Sequence, residues 1–442
     1  MTTKLSIIIP VYDCEKFLKK CLNSICKQVR KNVEVIIVND CSTDGSNKIC
    51  KSFTKKYNFV RLINLKKNKG AGHCRDIGIR IAAGDYISFV DSDDRLLNGS
   101  IGNILNHIKN FYGKEVFILR YVDSIIKKAS DLNIDKNFNF SLKQNKENKS
   151  LVDYIKNFDL FLPTCWLYVV KKKFLHLNNI NFKNIRLFED LPFVSQILCL
   201  TKSFKFIEKP SYVYNRSRTN NLSFIVGYMA VISDIKSIER IGLFINKKKE
   251  FLNKSKIKFL FSILRMLIQI ILANILVCKL NEIKKVSKYL YKYNLIFLKL
   301  SNFGFKKIDF FLQKDKIIYE SLLEYRSKKI EVIKKKFEKL RYSNIILFCA
   351  GKSSLIISKI LISMGAKITN IIDNNHMFFG KKLNNIIIKN PLYLKKNLDK
   401  FSNYKILVCH SHIKSINTIK LQLNKIGIRG KNISHINLFC II

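Results

Sequence analysis

With 442 residues, 48% of them hydrophobic, the chain is long enough for roughly three units with cores of their own, which excludes a small disulfide-stapled fold. Its 80 Lys and Arg against 32 Asp and Glu leave a formal charge of +48, which favours polyanionic partners: nucleic acid, anionic membrane or phosphate-bearing substrates. Lys, Ile and Asn crowd every region alike, however, so part of that charge is a chain-wide bias.

The 12 cysteines are scattered, with no C-x-x-C pair and no Cys/His cluster at zinc spacing, which predicts reduced, buried thiols in a cytoplasmic protein. Residues 1–4 run directly into a strand, leaving no room for a signal peptide. The most apolar helical stretch, residues 266–278, is broken by Gln269 and Asn274 and falls short of the roughly 18 clean residues of a membrane span. No transmembrane helix is expected.

In chain order, residues 5–11 form a short apolar run closed by Pro10 and Val11 and followed by Tyr12 and Asp13, the pattern of a buried parallel strand entering a ligand-facing loop. Asp13 is placed to cap the next helix, residues 15–28, in which Phe17, Leu18, Cys21, Leu22 and Ile25 recur at spacings of three and four. Residues 33–40 read as a second strand ending in a carboxylate. Strand, helix, strand is a βαβ unit, and such sheets bind ligands at the carboxyl ends of their strands, where Asp40 and Asp44 would lie. A third strand near residues 60–64 is joined through residues 68–78 to a helix ending near Gly84. The glycines of that segment allow close backbone approach, and Arg75 supplies a fork for phosphate or carboxylate. Read alone, such a segment is usually just a turn and a cap, but it sits one helix before the Asp91 loop, so the two can face one site.

Residues 84–94 carry an apolar run that ends in Asp91, Asp93 and Asp94. A strand that emerges with Asp91 and Asp93 two residues apart points both side chains to one face, where they can share a hard cation. A divalent ion held by one or two protein carboxylates keeps positions for phosphates, which suits a nucleotide-diphosphate substrate. A solvated loop after a strand would leave the same tripeptide.

Taken together, I-I-I-P-V-Y, V-N-D-C-S-T-D-G, N-K-G-A-G-H-C-R-D-I-G-I and G-D-Y-I-S-F-V-D-S-D-D, spread over residues 5–94, resemble the family 2 glycosyltransferases, inverting enzymes of the GT-A fold. The resemblance implies that Val11 and Asp40 hold the nucleobase, Asp91 the ribose and Asp93 the metal, manganese or magnesium, with Asp91 beside it and Arg75 near the nucleotide. The chain departs from the family at Asp13 and Asp76, where Asn is common; both changes are isosteric and add charge.

Beyond Asp94 the pattern weakens. A helix is expected over 101–110, a strand over 116–122, and a mobile loop or insertion over the Lys/Asn-rich residues 126–150. Trp166, the single tryptophan, is either a sugar-stacking platform or core. Residues 187–193 match the family's E-D motif. Inverting transfer needs a base for the acceptor hydroxyl, and Asp190 is the candidate; the alternative is a helix cap at Asp190 with Glu189 exposed. Residues 212–218 resemble the family's Y-x-Y-R-x-R segment, so Arg216 and Arg218 could meet the diphosphate, although Asn215 shifts the register and Arg218 also fits a solvated turn.

Residues 227–342 turn to helical periodicity with basic faces, over 232–244, 256–280, 282–300 and 316–340. From residue 343 a strand, a helix to Met364, a strand over 367–372 ending at Asp373, a strand over 404–408 and a helix over 413–426 predict a small Rossmann-like unit. Gly351, Lys352 and Ser353 mimic the end of a phosphate loop, but Ile346 stands where its first glycine belongs. His410 and His412 alternate after a strand without a visible third ligand.

The sequence therefore predicts an α/β protein with a GT-A domain over 1–226, a helical connector over 227–342 and a Rossmann-like domain over 343–442. Its expected activity is inverting, metal-dependent transfer of a sugar from a UDP-type nucleotide diphosphate donor to a cell-surface glycan or lipid-linked acceptor, such as a capsular polysaccharide or lipooligosaccharide. The alternatives are a bifunctional enzyme whose tail modifies the sugar, and a basic nucleic-acid-binding protein; no nucleic-acid module is recognisable, and none is expected to bind. Lys247, Lys248 and Lys249, with the lysine-flanked apolar stripe of residues 256–280, predict peripheral attachment to anionic membrane, unless that stripe is bundle core.

Overall fold

A computed structural model of the chain describes residues 4–29, 31–123, 150–157, 163–183, 185–215, 225–292, 315–340, 343–349, 352–374, 382–383, 386–397, 399–401, 403–409, 413–428 and 433–436. It divides into two compact units, residues 1–218 with 243–260, and residues 219–242 with 261–442. Most of the stretch expected as a loop over 126–150, together with Arg216, Arg218, Gly351, His410 and His412, lies outside the described residues.

The first unit is built on β1 (Leu5–Val11), β2 (Val33–Asn39), β3 (Val60–Asn64) and β4 (Tyr86–Phe89), joined by α1 (Glu15–Cys26), α2 (Ser46–Lys56) and α3 (Ala71–Ile81). There follow β5 (Arg95–Leu96), α4 (Ser100–Asn110), β6 (Val116–Ile118), β7 (Tyr121–Asp123), α5 (Leu151–Asn157), β8 (Tyr168–Lys171), α6 (Lys172–Asn178), α7 (Asp190–Leu200), β9 (Phe204–Phe206) and β10 (Tyr212–Tyr214). The main sheet has the order β3-β2-β1-β4-β8-β6-β9, and β5-β10-β7 form a second sheet. Every residue of β1 and β2 is buried, which is why both read as nearly continuous apolar runs: helices cover both faces of a parallel sheet. After β3 the chain crosses to the other side of β1 and returns as β4, so the carboxyl ends of β1 and β4 make the switch point at which doubly wound sheets bind ligands. Packing of α3 on this sheet is close: a Cβ on Gly78 would stand 2.4 Å from Ile8 Cγ2.

Two local expectations change. Asp13 does not cap α1. Its carboxylate accepts the Thr43 N–H at 2.7 Å, while Asp44 accepts the Glu15 N–H at 3.0 Å and Ser46 Oγ accepts the Cys14 N–H at 3.0 Å. The loops after β1 and β2 adjoin, so these short side chains bond across rather than locally. The strand expected over 116–122 is two, because β6 pairs with β8 and β9 whereas β7 pairs with β10.

The second unit takes residues from α8 (Tyr228–Lys248) and α9 (Lys254–Ile275), and contains α10 (Leu280–Lys292) and α11 (Asp315–Lys336). It continues with β11 (Asn344–Phe348), α12 (Lys352–Ser363), β12 (Lys367–Ile372), β13 (Lys382–Leu383), β14 (Ile386–Lys389), α13 (Pro391–Lys395), β15 (Lys405–Cys409), α14 (Ile413–Lys425) and β16 (Ile433–Ile436). The sheet order is β13-β14-β12-β11-β15-β16, parallel except for β13. The strands at 382–383, 386–389 and 433–436 add to those expected. Alternation splits the core: Ile345 and Leu347 pack with Ile333, Phe337 and Leu340 from the helical region, whereas Ile346 and Phe348 pack with Ile416 and Ile419 of α14.

By length and composition α9 could cross a membrane, with 22 residues and a mean hydropathy of 1.7 in its best window, which corrects the expectation that this region falls short. Half of that window is buried inside the protein. Ile263, Leu264, Leu267 and Ile271 are all buried, and Asn274 accepts the Gly227 N–H at 2.8 Å, so the apolar stripe is core.

Candidate active site

β1 ends at the buried Val11, and the Asp40 N–H donates to the Val11 carbonyl at 2.8 Å. Asp40 is itself buried and accepts the N–H groups of Lys69 (2.8 Å) and Gly70 (2.7 Å), so its carboxylate fastens the loop that opens α3. Gly70 has φ +92, a left-handed backbone that favours glycine.

From α3, Arg75 enters the protein with only 4% of its surface exposed. Its Nη2 donates to Asp91 Oδ1 at 2.7 Å, and its Nη1 to Glu189 Oε1 at 2.7 Å and Asp190 Oδ1 at 3.2 Å. One guanidinium thus gathers three carboxylates. The planar fork is suited to this, since its donors are rigidly spaced and stay charged when buried. A Cβ on Gly72 would lie 2.9 Å from Glu189 Cγ, so glycine is what lets α3 pass this close.

Glu189 and Asp190 follow Phe188, which holds the strained φ of +59, and Asp190 opens α7. Neither side chain caps the helix, and Glu189 is buried, not exposed: burial pushes its carboxyl up to about 7 against the opposing pull of Arg75. Asp190 Oδ2 accepts the Cys165 N–H at 3.0 Å, and burial, opposed by Arg75, raises its carboxyl above the ordinary range. The loop before this pair is tied to α3 by Asp76, which accepts the Phe182 and Lys183 N–H groups at 2.9 and 3.0 Å. Each carboxylate oxygen takes one N–H, a double acceptor role that an Asn at this position could not fill.

The strand β4 stops at Phe89, so strand alternation does not orient Asp91 and Asp93; a turn does, closed by the Asp94 N–H to the Asp91 carbonyl at 2.9 Å. Asp91 and Asp93 remain partly exposed, while Asp94 is buried and accepts the Tyr212 hydroxyl and the Asn215 N–H, both at 2.6 Å. Asn215 Nδ2 also donates to the Asp93 carbonyl at 2.9 Å. Burial first, and then the charges of Asp91 and Asp93, push the Asp94 carboxyl up to about 9. Trp166 is core: it is 4% exposed and stacks on Tyr212 with centroids 4.2 Å apart.

Val11, Asp40, Arg75, Asp91, Asp93 and Asp190 therefore all belong to the loops and helix starts at the carboxyl end of the sheet or to the E-D segment, with Arg75 joining Asp91 to Asp190. Glu189, Asp94 and Tyr212 were not singled out from the sequence. Asp94 is the third carboxylate of its run and Tyr212 the first aromatic of Y-x-Y, but neither shows locally that it meets the other across 118 residues.

Residues 6–165 match the family model described as Glycosyl transferase family 2. The chain is 29% identical over 227 residues to Glycosyltransferase GlyG of Streptococcus pneumoniae serotype 4, covering 49% of this chain and 72% of that relative. It is 27% identical over 331 residues to Cholesterol galactosyltransferase of Borreliella burgdorferi, covering 69% of this chain and 89% of the relative. Another curated relative is matched over as little as 13% of its own length. Among solved structures, S. aureus TarS 1-349 in complex with UDP shares the fold, with a TM-score of 0.50, 16% identity, and coverage of 74% of this chain and 92% of TarS 1-349. Residues 6–165 thus match the family 2 glycosyltransferase model, and the first unit has the GT-A fold that its solved neighbour shares.

Proposed function

We propose that the protein transfers a sugar, with inversion, from a nucleotide diphosphate donor, with UDP as the nucleotide, to a cell-surface glycan or lipid-linked acceptor on the cytoplasmic side of the membrane. One observation carries this reading: the Arg75 guanidinium holds Asp91, a donor-side carboxylate, and Asp190, the acceptor-side base, at 2.7 and 3.2 Å. Donor and acceptor chemistry thereby meet on one side chain. That a protein of the same fold was solved with UDP supports the choice of nucleotide.

In the proposed reaction Asp190 accepts the proton of the acceptor hydroxyl as its oxygen bonds to the anomeric carbon. The bond from that carbon to the diphosphate breaks on the opposite face, and the nucleoside diphosphate leaves. Arg75 opposes the burial that raises the Asp190 carboxyl, and Asp91 takes the ribose. By the family resemblance, Val11 and Asp40 border the nucleobase, and Arg216 and Arg218 meet the diphosphate.

A divalent ion fits the turn after β4. Asp91, Asp93 and Asp94 stand together there, and burial first, then the charges of Asp91 and Asp93, raise the Asp94 carboxyl. Asp93, with Asp91, would hold the ion, and it would supply positive charge to the departing diphosphate. We further propose that residues 1–226 carry the catalytic function, with 227–342 and 343–442 as accessory parts.

The test is donor hydrolysis across nucleotide sugars with manganese, magnesium or excess chelator. Turnover should favour UDP-sugars and vanish with chelator or in Asp93→Ala. Full turnover in chelator overturns the metal role, and no turnover with any donor overturns the transfer reading.

A further inference from the structure

α8 ends in Lys247 and Lys248, a 3-10 turn over Lys249–Phe251 follows, and α9 begins at Lys254. The corner between these helices, residues 246–258, carries six lysines, Lys247, Lys248, Lys249, Lys254, Lys256 and Lys258, against one acid, Glu250, a local charge of 6 − 1 = +5. It is fastened within the first unit, since Leu252, Phe259 and Leu260 are buried and Ser255 Oγ donates to Asp153 of α5. Phe251 in the connecting turn is 62% exposed, and the Lys248 Nζ stands 5.5 Å from its ring centroid. The turn thus combines a solvent-facing aromatic ring with a collar of cations on a rigid support.

We propose that this corner docks on anionic phospholipid bilayers, its lysines against the headgroups and Phe251 entering the boundary with the acyl chains. Long basic side chains keep their ammonium groups in the headgroup layer while an apolar side chain between them gains by leaving water. The buried stripe of α9 takes no part; the contact is confined to the corner. Charge complementarity alone would also admit RNA, but single-stranded nucleic acid is held by successive aromatic platforms, and residues 246–258 hold a single aromatic. Because the corner belongs to the same unit as Arg75 and Asp190, docking would hold the active site at the membrane surface. The proposal stands independently of the transfer reading, since it needs neither donor nor acceptor.

The full chain is sedimented with vesicles of phosphatidylcholine alone or with one third phosphatidylglycerol, and donor binding is titrated separately. Binding should require the anionic lipid and disappear at 1 M salt, where the screening length is about 3 Å. The triple variant Lys247→Gln, Lys254→Gln, Lys258→Gln should bind on the order of a hundredfold more weakly, at about fivefold per lysine near an anionic surface. Phe251→Ser should weaken binding by roughly tenfold, as for an aromatic ring withdrawn from an apolar boundary. In Phe251→Trp the added emission should shift to the blue on anionic vesicles only. Thermal midpoints of all three variants should match the parent, since every altered side chain is exposed. Equal binding to both vesicle types, parental binding by the variants, an unshifted emission, or tighter lysine-dependent binding to single-stranded RNA would each overturn the proposal.

Discussion

The two main sheets of this molecule share a doubly wound parallel portion whose strands end in different residues. In the first unit β3, β2 and β1 step one way and β4 the other; in the second β14, β12 and β11 step one way and β15 and β16 the other. At the switch of the first sheet the strand ends deliver Asp40 and Asp91, and α3 delivers Arg75. At the switch of the second, β11 and β15 lead to Cys349 and Cys409. Burial raises both thiols, Cys409 to about 12, which favours their protonated form at neutral pH. The wound sheet supplies a place for a site; the residues at the strand ends decide whether chemistry occurs there.

The largest effect that would break this comparison is catalytic. Asp190→Asn should lower kcat by about 10²–10⁴-fold, the usual worth of a general base, while donor affinity in calorimetric titration stays near the parent. Asp373→Asn, after β12 of the second sheet, should leave transfer unchanged. Equal losses in the two variants would mean that both sheets serve the reaction.

Next comes stability. Arg75→Ala leaves Asp91, Glu189 and Asp190 without their shared cation, and denaturant unfolding should report a loss of about 3–5 kcal/mol for the first unit. In the second sheet Lys389 Nζ donates to a neutral partner, Asn370 Oδ1, at 2.9 Å and stands 3.7 Å from the Tyr393 ring centroid, and Lys389→Met should cost about 1–3 kcal/mol. A similar loss in both would deny that the first unit depends on its buried charge. Gly78→Ala should cost about 1–3 kcal/mol, because the added methyl must displace Ile8 in a closely packed parallel sheet.

The smallest effects are in pH. A base must be ionised, and burial raises Asp190 while Arg75 lowers it, so kcat/KM should fall on the acid side through a pKa above the ordinary carboxylate value. In Arg75→Met that acid limb should move to higher pH, since loss of the cation favours the neutral form. Glu189 acts on stability in the same sense. Its carboxyl rises from 4.5 to about 7 on folding, so the folded protein binds this proton more tightly; the stabilisation is full below about pH 4.5 and is lost as pH rises through about 7. Melting midpoints between those values should decline less in Glu189→Gln than in the parent. An equal decline would place the titration elsewhere.

What could be read from the sequence by itself was whatever repeats or ends locally. The strands at 5–11 and 33–39 are nearly continuous apolar runs because helices bury both sheet faces, and α1 shows its stripe because only one face packs. The carboxylates Asp40, Asp91, Asp93 and Asp190 could be located because each stands where an apolar run begins or ends, and the family motifs set them in order. Only the tertiary structure decided what those groups touch. Arg75 meets partners 16, 114 and 115 residues away, and no periodicity carries contacts of that range. Likewise the stack of Trp166 on Tyr212 and the burial of Glu189 depend on the close packing of segments far apart in the chain. Such contacts are set by shape and desolvation, which exist only once the sheet has assembled.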